Sequence, residues 1–203
     1  MTKSPFSTIL TLLLITLTTT TSTTTTTTTN HPNKPSKQFI KTSCHVTQYP
    51  KLCYHTLSPF ATKINRSDRQ LVLTALALSL GRARSAAQYV AQTQKFKGMK
   101  HREFEAVKDC IDTMGDSVDQ LTRSFIELGH MGRVNDGEDF MWHISNVQTW
   151  VSAALTDANT CMDGFSGRVM SGEIKGGINM RLTNVAQLTS NALALVNNFA
   201  NRH

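Results

Sequence analysis

The chain has no apolar run long enough to cross a bilayer: its most apolar stretch, Ile9 to Leu17, falls far short of the roughly 20 residues a spanning helix needs. It carries no nucleophile elbow, no phosphate-binding glycine loop, no dinucleotide fingerprint and no HExxH helix, so the enzyme classes that announce themselves by motif find no support. No stretch alternates apolar and polar residues in the manner of a strand, and no segment repeats. Sheet and solenoid architectures are therefore disfavoured. Aromatic residues are only 7% of the chain. Few of them stand among the basic residues, so the net charge of +7 does not describe a base-stacking nucleic-acid surface.

What is present bounds a single domain with some extra sequence. There are 203 residues, 39% of them hydrophobic, enough for one core. The extra sequence is N-terminal. Lys3 followed by the short apolar run to Leu17 has the form of a secretory leader. Thr18 to Thr29 is threonine broken only by Ser22; such a tract buries too little apolar area to offset the entropy of ordering and reads as a disordered stalk. Residues 1–29 are thus assigned to leader and threonine tract. Residues 30–38, with Pro32 and Pro35, continue as linker, and the folded unit is expected from Phe39. Secretion keeps such a chain from nucleic acid and, once the leader is removed, from the membrane. Asn65-Arg66-Ser67 is an N-glycosylation sequon that fits the same compartment.

The charge is segregated. Residues 40–102 hold eleven Lys and Arg against Asp68 alone, whereas residues 103–163 hold twelve of the fourteen carboxylates with only Lys108, Arg123 and Arg133 opposing them. The basic half suits an anionic polymer such as pectin.

Four segments repeat apolar residues at alternating spacings of three and four, which places them on one helix face. The first runs Leu73, Leu76, Leu80, Ala83, Ala87, Val90, with Asp68 as candidate N-cap. The second runs Phe104, Val107, Ile111, Met114, Val118, Leu121, Phe125, Leu128. The third runs Phe140, Ile144, Val147, Val151, Ala154, Ala158, Cys161, and the fourth Ile178, Leu182, Val185, Thr189, Ala192, Val196, Phe199. Glycines separate them: Gly98; then Gly129, Gly132 and Gly137; then Gly164, Gly167, Gly172, Gly176 and Gly177. Four such stripes on short connections predict an all-α, antiparallel up-and-down four-helix bundle over 67–203. Residues 39–66, turned at Pro50 and broken at Pro59, predict an N-terminal helical hairpin, so that 39–203 is one domain.

Cysteine number supports secretion. The four, Cys44, Cys53, Cys110 and Cys161, suggest two disulfides in an oxidising compartment. If the second and third bundle helices form a hairpin, residues equidistant from its turn face each other. The midpoint of 110 and 161 falls between Asn135 and Asp136, in that turn, so Cys110–Cys161 is within a disulfide's reach and Cys44–Cys53 remains. The longer bridge should contribute on the order of 4 kcal/mol through the denatured state. Cys44, His45, Cys53 and His55 are zinc-type ligands, but their spacing matches no common zinc pattern.

Asp112, Asp116 and Asp119 share one helix face at spacings of four and three, one step past the core stripe and so near solvent. Paired carboxylates can serve acid–base chemistry, but only in a cleft that separates their pKa values. A bundle surface has none, which leaves a solvated face or a binding patch. Trp142 and Trp150 lie off the main stripe of the third helix and are expected to pack at the core's edge.

Several blocks resemble the plant invertase and pectin methylesterase inhibitor family. They are Phe39-Ile-Lys-Thr-Ser-Cys44 with Thr47-Gln-Tyr-Pro-Lys-Leu-Cys53; Asp109-Cys110 with Asp112, Asp116, Val118, Asp119 and Leu121; Val147-Gln-Thr-Trp-Val-Ser-Ala-Ala-Leu-Thr-Asp157 with Thr160-Cys-Met-Asp-Gly-Phe165; and Asn191-Ala-Leu-Ala-Leu195. The resemblance implies the two disulfides and the bundle, and a cell-wall inhibitor that is no enzyme and takes no cofactor. The third block is similar to the pectin methylesterase branch, and the Pro-Lys-Phe motif frequent in the invertase branch is missing. A pectin methylesterase is the implied partner, covered one-to-one across its substrate groove; invertase inhibition and pectin binding stay as alternatives. The family's docking positions fall on Asp112, Asp116, Asp119, Thr160 and Asp163. Met114 stands where the family often has tyrosine, at a position the helical stripe places in the core.

Overall fold

The computed structural model describes residues 34–131, 137–166 and 172–202. The residues read as leader and threonine tract lie outside them, as do Gly132 and Gly167. Every regular element among the described residues is helical. α1 spans Lys34–Ser43, α2 Pro50–Leu57 and α3 Ala61–Ile64, joined by short 3₁₀ turns at Cys44–Val46 and Ser58–Phe60. The long helices are α4 (Asp68–Thr93), α5 (His101–His130), α6 (Gly137–Gly164) and α7 (Gly172–Ala200).

The long helices close a ring in which α4 packs on α5, α5 on α6, α6 on α7 and α7 back on α4. This is the up-and-down bundle that short connections dictate. The stripes of α6 and α7 are buried as expected, from Ile144 to Cys161 and from Ile178 to Phe199. On α5 the buried line is rotated from the expected one. It runs Val107, Cys110, Met114, Ser117, Leu121, Ser124, Leu128, while Phe104 and Phe125 are more than a third exposed. The cause lies in the neighbour. The Cys110–Cys161 disulfide holds the two Cα atoms 4.6 Å apart, and Ser117 Oγ donates to the Ala154 carbonyl at 3.0 Å. Helices this close admit serine, alanine and cysteine at the seam and turn phenylalanine out to its margins.

The helix ends follow local chemistry. Ser67, not Asp68, caps α4, accepting from the Gln70 N–H at 3.3 Å; Asp68 instead pairs through both oxygens with Arg202 Nη1 at 3.0 Å. The buried Glu103 carboxylate reaches back to the Lys100 N–H at 3.0 Å and so satisfies a free donor at the start of α5. Arg69 donates to the carbonyls of Leu128 at 3.2 Å and Gly129 at 2.8 Å, closing the other end of α5. Gly98, at φ +89°, turns the chain from α4 into α5.

Two boundaries differ from the sequence reading. α1 begins at Lys34, inside the stretch read as linker, because Pro35 sits in a first turn where a proline costs no hydrogen bond. Gly172, Gly176 and Gly177 belong to α7 rather than to the turn before it. At Gly177 a Cβ would collide with the Tyr89 hydroxyl, so the residue permits close packing of α7 on α4.

The hairpin of α1 to α3 packs on α4 and α7 of its own chain. Cys44–Cys53 staples it. Ile40, Leu57 and Ile64 extend the bundle core into it. The buried side chain of Asn191 grips the Tyr49 backbone twice, accepting from N–H at 3.0 Å and donating to the carbonyl at 3.1 Å.

Candidate functional site

The α5–α6 seam carries the residues singled out from the sequence. Asp112, Asp116 and Asp119 are exposed on α5, and Thr160 and Asp163 are exposed on α6. None of the four carboxylates forms an ion pair among the described residues. The helical rows of this face extend beyond them. On α5 the spacing that joins Asp112, Asp116 and Asp119 continues through Arg123 to Ile126. On α6 the row from Asp163 runs back through Thr160, Thr156, Ala153, Thr149 and Asn146 to Trp142. The face is therefore acidic at the disulfide end, lined with hydroxyls along its middle and apolar at the far end. Eighteen residues of helix separate Trp142 from Thr160, about 27 Å at the α-helical rise.

Each part of the face has a local cause. Thr149, Thr156 and Thr160 donate to the carbonyls one turn back, Ser145, Ser152 and Thr156, at 2.9, 3.1 and 2.9 Å. Their donors are thereby satisfied internally, leaving oxygen lone pairs outward for a partner's donors. Beside the disulfide, Thr160 and Asp109 line an open groove of about 450 Å³, together with Glu105, Thr113, His101 and Arg102. At the far end the Glu127 carboxylate accepts from His143 Nδ1 at 2.7 Å and from Asn146 Nδ2 at 3.4 Å. That bond locks α5 to α6 beneath Trp142, whose ring meets the His143 ring edge-on at 5.0 Å.

Two features escaped the sequence reading. Trp142 is 63% exposed rather than at the core's edge, in company with Ile126 and Met141; Trp150 is half-buried at the edge as expected. Asp157 was seen only as the last letter of a motif. It is half-buried in the seam, and its carboxyl is pushed above the ordinary carboxylate range, first by burial and then by the charge of Asp116 across the seam. The signal for it was available: the midpoint of 116 and 157 falls within about a residue of the cysteines' midpoint, so the argument that pairs the cysteines also pairs these carboxylates.

The chemistry on display is that of a recognition surface: exposed carboxylates, outward hydroxyl oxygens and an exposed tryptophan. The four carboxylates are exposed to solvent on the faces of α5 and α6. Among the described residues no cluster of three or more His, Cys, Asp or Glu could hold a metal, and no helix is long and apolar enough to cross a membrane. The Cys44 and Cys53 thiols are committed to their disulfide.

Comparison with known proteins adds ancestry to this geometry. The family profile described as plant invertase/pectin methylesterase inhibitor matches residues 38–195. The chain is 55% identical to pectinesterase inhibitor 9 of Arabidopsis thaliana, over 82% of this chain and 83% of that one. It is 47% identical to a 21 kDa protein of Daucus carota over 83% and 86%, and 46% identical to pectinesterase inhibitor 11 of Arabidopsis thaliana over 81% and 82%. In fold it is similar to the crystal structure of a mutant form of a pectin methylesterase inhibitor from Arabidopsis, with a TM-score of 0.61 over 78% of this chain and 95% of that one at 23% identity.

Proposed function

From the premise that this chain belongs to the plant invertase/pectin methylesterase inhibitor family, we propose that it inhibits a pectin methylesterase in the cell wall by covering the enzyme's pectin-binding cleft in a one-to-one complex. The observation that carries this reading is the α5–α6 face: exposed carboxylates with no ion pair of their own at one end, outward hydroxyl oxygens along the middle, and an exposed tryptophan at the other. Such a face offers charge for steering and a large rigid ring as anchor. Asp112, Asp116, Asp119, Thr160 and Asp163 are its contact residues, joined by Asp157 and Trp142. The protein acts by binding and needs no cofactor. The leader delivers it outside the cell, with no membrane association after cleavage. Asn65, exposed in the turn before α4, is the residue that receives a glycan.

The test is release of methanol from esterified pectin by a purified plant pectin methylesterase at mildly acidic pH, titrated with the oxidised protein. Loss of activity that saturates at equimolar inhibitor is expected. Trp142→Ala and Asp116→Asn, each with an unchanged melting temperature, should weaken inhibition about tenfold or more, as for truncation of an interface anchor. No loss with several esterases, alongside loss of acid invertase activity, would move the protein to the sister activity.

A further inference from the structure

The seam opposite the acidic face, between α4 and α7, has a different chemistry. An open groove of about 510 Å³ runs along it, lined by Arg82, Ser85 and Ala86 of α4 and by Met180, Arg181, Thr183, Asn184 and Gln187 of α7. Two guanidiniums, two carboxamides and two hydroxyls therefore line it, with no carboxylate among the described residues there. The only acidic residues of the two helices, Asp68 and Glu173, sit in their first turns, and Asp68 is already paired with Arg202.

One of the arginines is held in place. The Arg181 guanidinium lies 3.6 Å from the centroid of the Tyr89 ring, and its Nη1 donates to the Gly177 carbonyl at 3.0 Å. The ring lies so close to α7 that a Cβ at 177 would meet the Tyr89 hydroxyl and displace the ring. Glycine, tyrosine and arginine thus form one assembly that fixes a cation at the groove before any ligand arrives, which reduces the entropy lost on binding. A guanidinium held over a ring and by one carbonyl keeps its remaining N–H donors for a planar carboxylate. The amides and hydroxyls around it suit sugar hydroxyls.

We infer that the α4–α7 groove binds a carboxylate-bearing polysaccharide, and that its ligand is de-esterified pectin. Arg82 and Arg181 take uronate carboxylates; Asn184, Gln187 and Ser85 take ring hydroxyls; Tyr89 and Gly177 position Arg181. Methyl esters remove the charge that the arginines read, so the groove distinguishes de-esterified from esterified polymer. This site does not depend on the inhibitor reading, because the groove is complete without an esterase.

The experiment is retention of the oxidised protein on immobilised de-esterified homogalacturonan. The controls are highly methyl-esterified homogalacturonan and immobilised polyglutamate, in a salt series, with esterase inhibition measured on the same samples. Retention on the de-esterified polymer alone is expected, weakening with salt. It should fall about tenfold in Arg82→Gln, a surface change that leaves the Tyr89 stack intact, and further in the Arg82→Gln/Arg181→Gln double variant, with inhibition unaffected. Gly177→Ala tests the positioning role: it should weaken retention with both arginines present. Absence of retention, equal retention on polyglutamate, or full retention by the double variant would each overturn the assignment, whatever the inhibition assay shows.

Discussion

At the scale of single residues, Asp157 makes the α5–α6 seam sensitive to pH. Its carboxyl is raised by burial in the seam and by the facing charge of Asp116. The folded protein therefore holds this proton more tightly than the unfolded chain does. Where both states are protonated, at low pH, the residue costs nothing. As pH rises through the ordinary carboxylate range toward the raised folded value, the unfolded state loses its proton first, and stability falls. Asp157→Asn should abolish that component: melting temperatures of the two proteins should converge in acid and diverge toward neutrality, the variant being the more stable. Parallel curves would show that the carboxyl is already solvated. A partner that covers the seam desolvates Asp157 further, so inhibition should also be stronger in mild acid than at neutral pH, and less so in the variant.

At the scale of elements, the hairpin of α1 to α3 is a clamp on α4 and α7, and Asn191 is where it closes. With both Tyr49 backbone groups tied to one buried amide, Asn191→Ala leaves a donor and an acceptor without partners and should cost about 1–3 kcal/mol. A lower melting temperature and faster reduction of Cys44–Cys53 would register the loosened hairpin; an unchanged reduction rate would show that apolar packing alone holds it. This scale is also where the sequence was most and least legible. The buried stripes of α6, from Ile144 on, and of α7 could be read from spacing because they face the bundle interior, though the start of α7 could not. On α5 every second member of the stripe was read correctly, at Val107, Met114, Leu121 and Leu128, but the alternate positions belong to Cys110, Ser117 and Ser124 rather than to the apolar residues beside them, because apolarity alone does not report how closely two helices approach. At the α5–α6 seam the disulfide and the Ser117–Ala154 bond demand small residues, and Ser117 and Ser124 look solvent-facing to any hydropathy reading. Trp142 was misplaced by the same assumption that large apolar residues seek the core. The aspartate row on α5 was legible from spacing, whereas the Asp116–Asp157 pairing needed the register of two helices. The α4–α7 groove was invisible, because its arginines are scattered among apolar residues and only packing brings Arg82 of one helix beside Arg181 of another.

At the scale of the whole molecule, the charge segregation along the chain becomes segregation across the bundle. In a ring of four helices the α5–α6 and α4–α7 seams lie on opposite sides, so the acidic face and the guanidinium groove point away from each other. If the acidic face meets the enzyme and the groove the polymer, as proposed, neither screens the other, and the two ligands should bind independently. A fluorescent de-esterified uronate oligomer, followed by anisotropy, should bind the preformed inhibitor–esterase complex with the same affinity as the free inhibitor, and lose that affinity in both when Arg82 and Arg181 are replaced. Independence follows from geometry, since coupling between sites requires a ligand to favour one arrangement of the bundle over another, and the disulfide between α5 and α6 resists rearrangement at the seam proposed to meet the esterase. Release of the oligomer on adding esterase would place both ligands on one face. Retention in the complex would make this chain a tether, holding a silenced esterase on the stretches of polymer that have already lost their methyl groups.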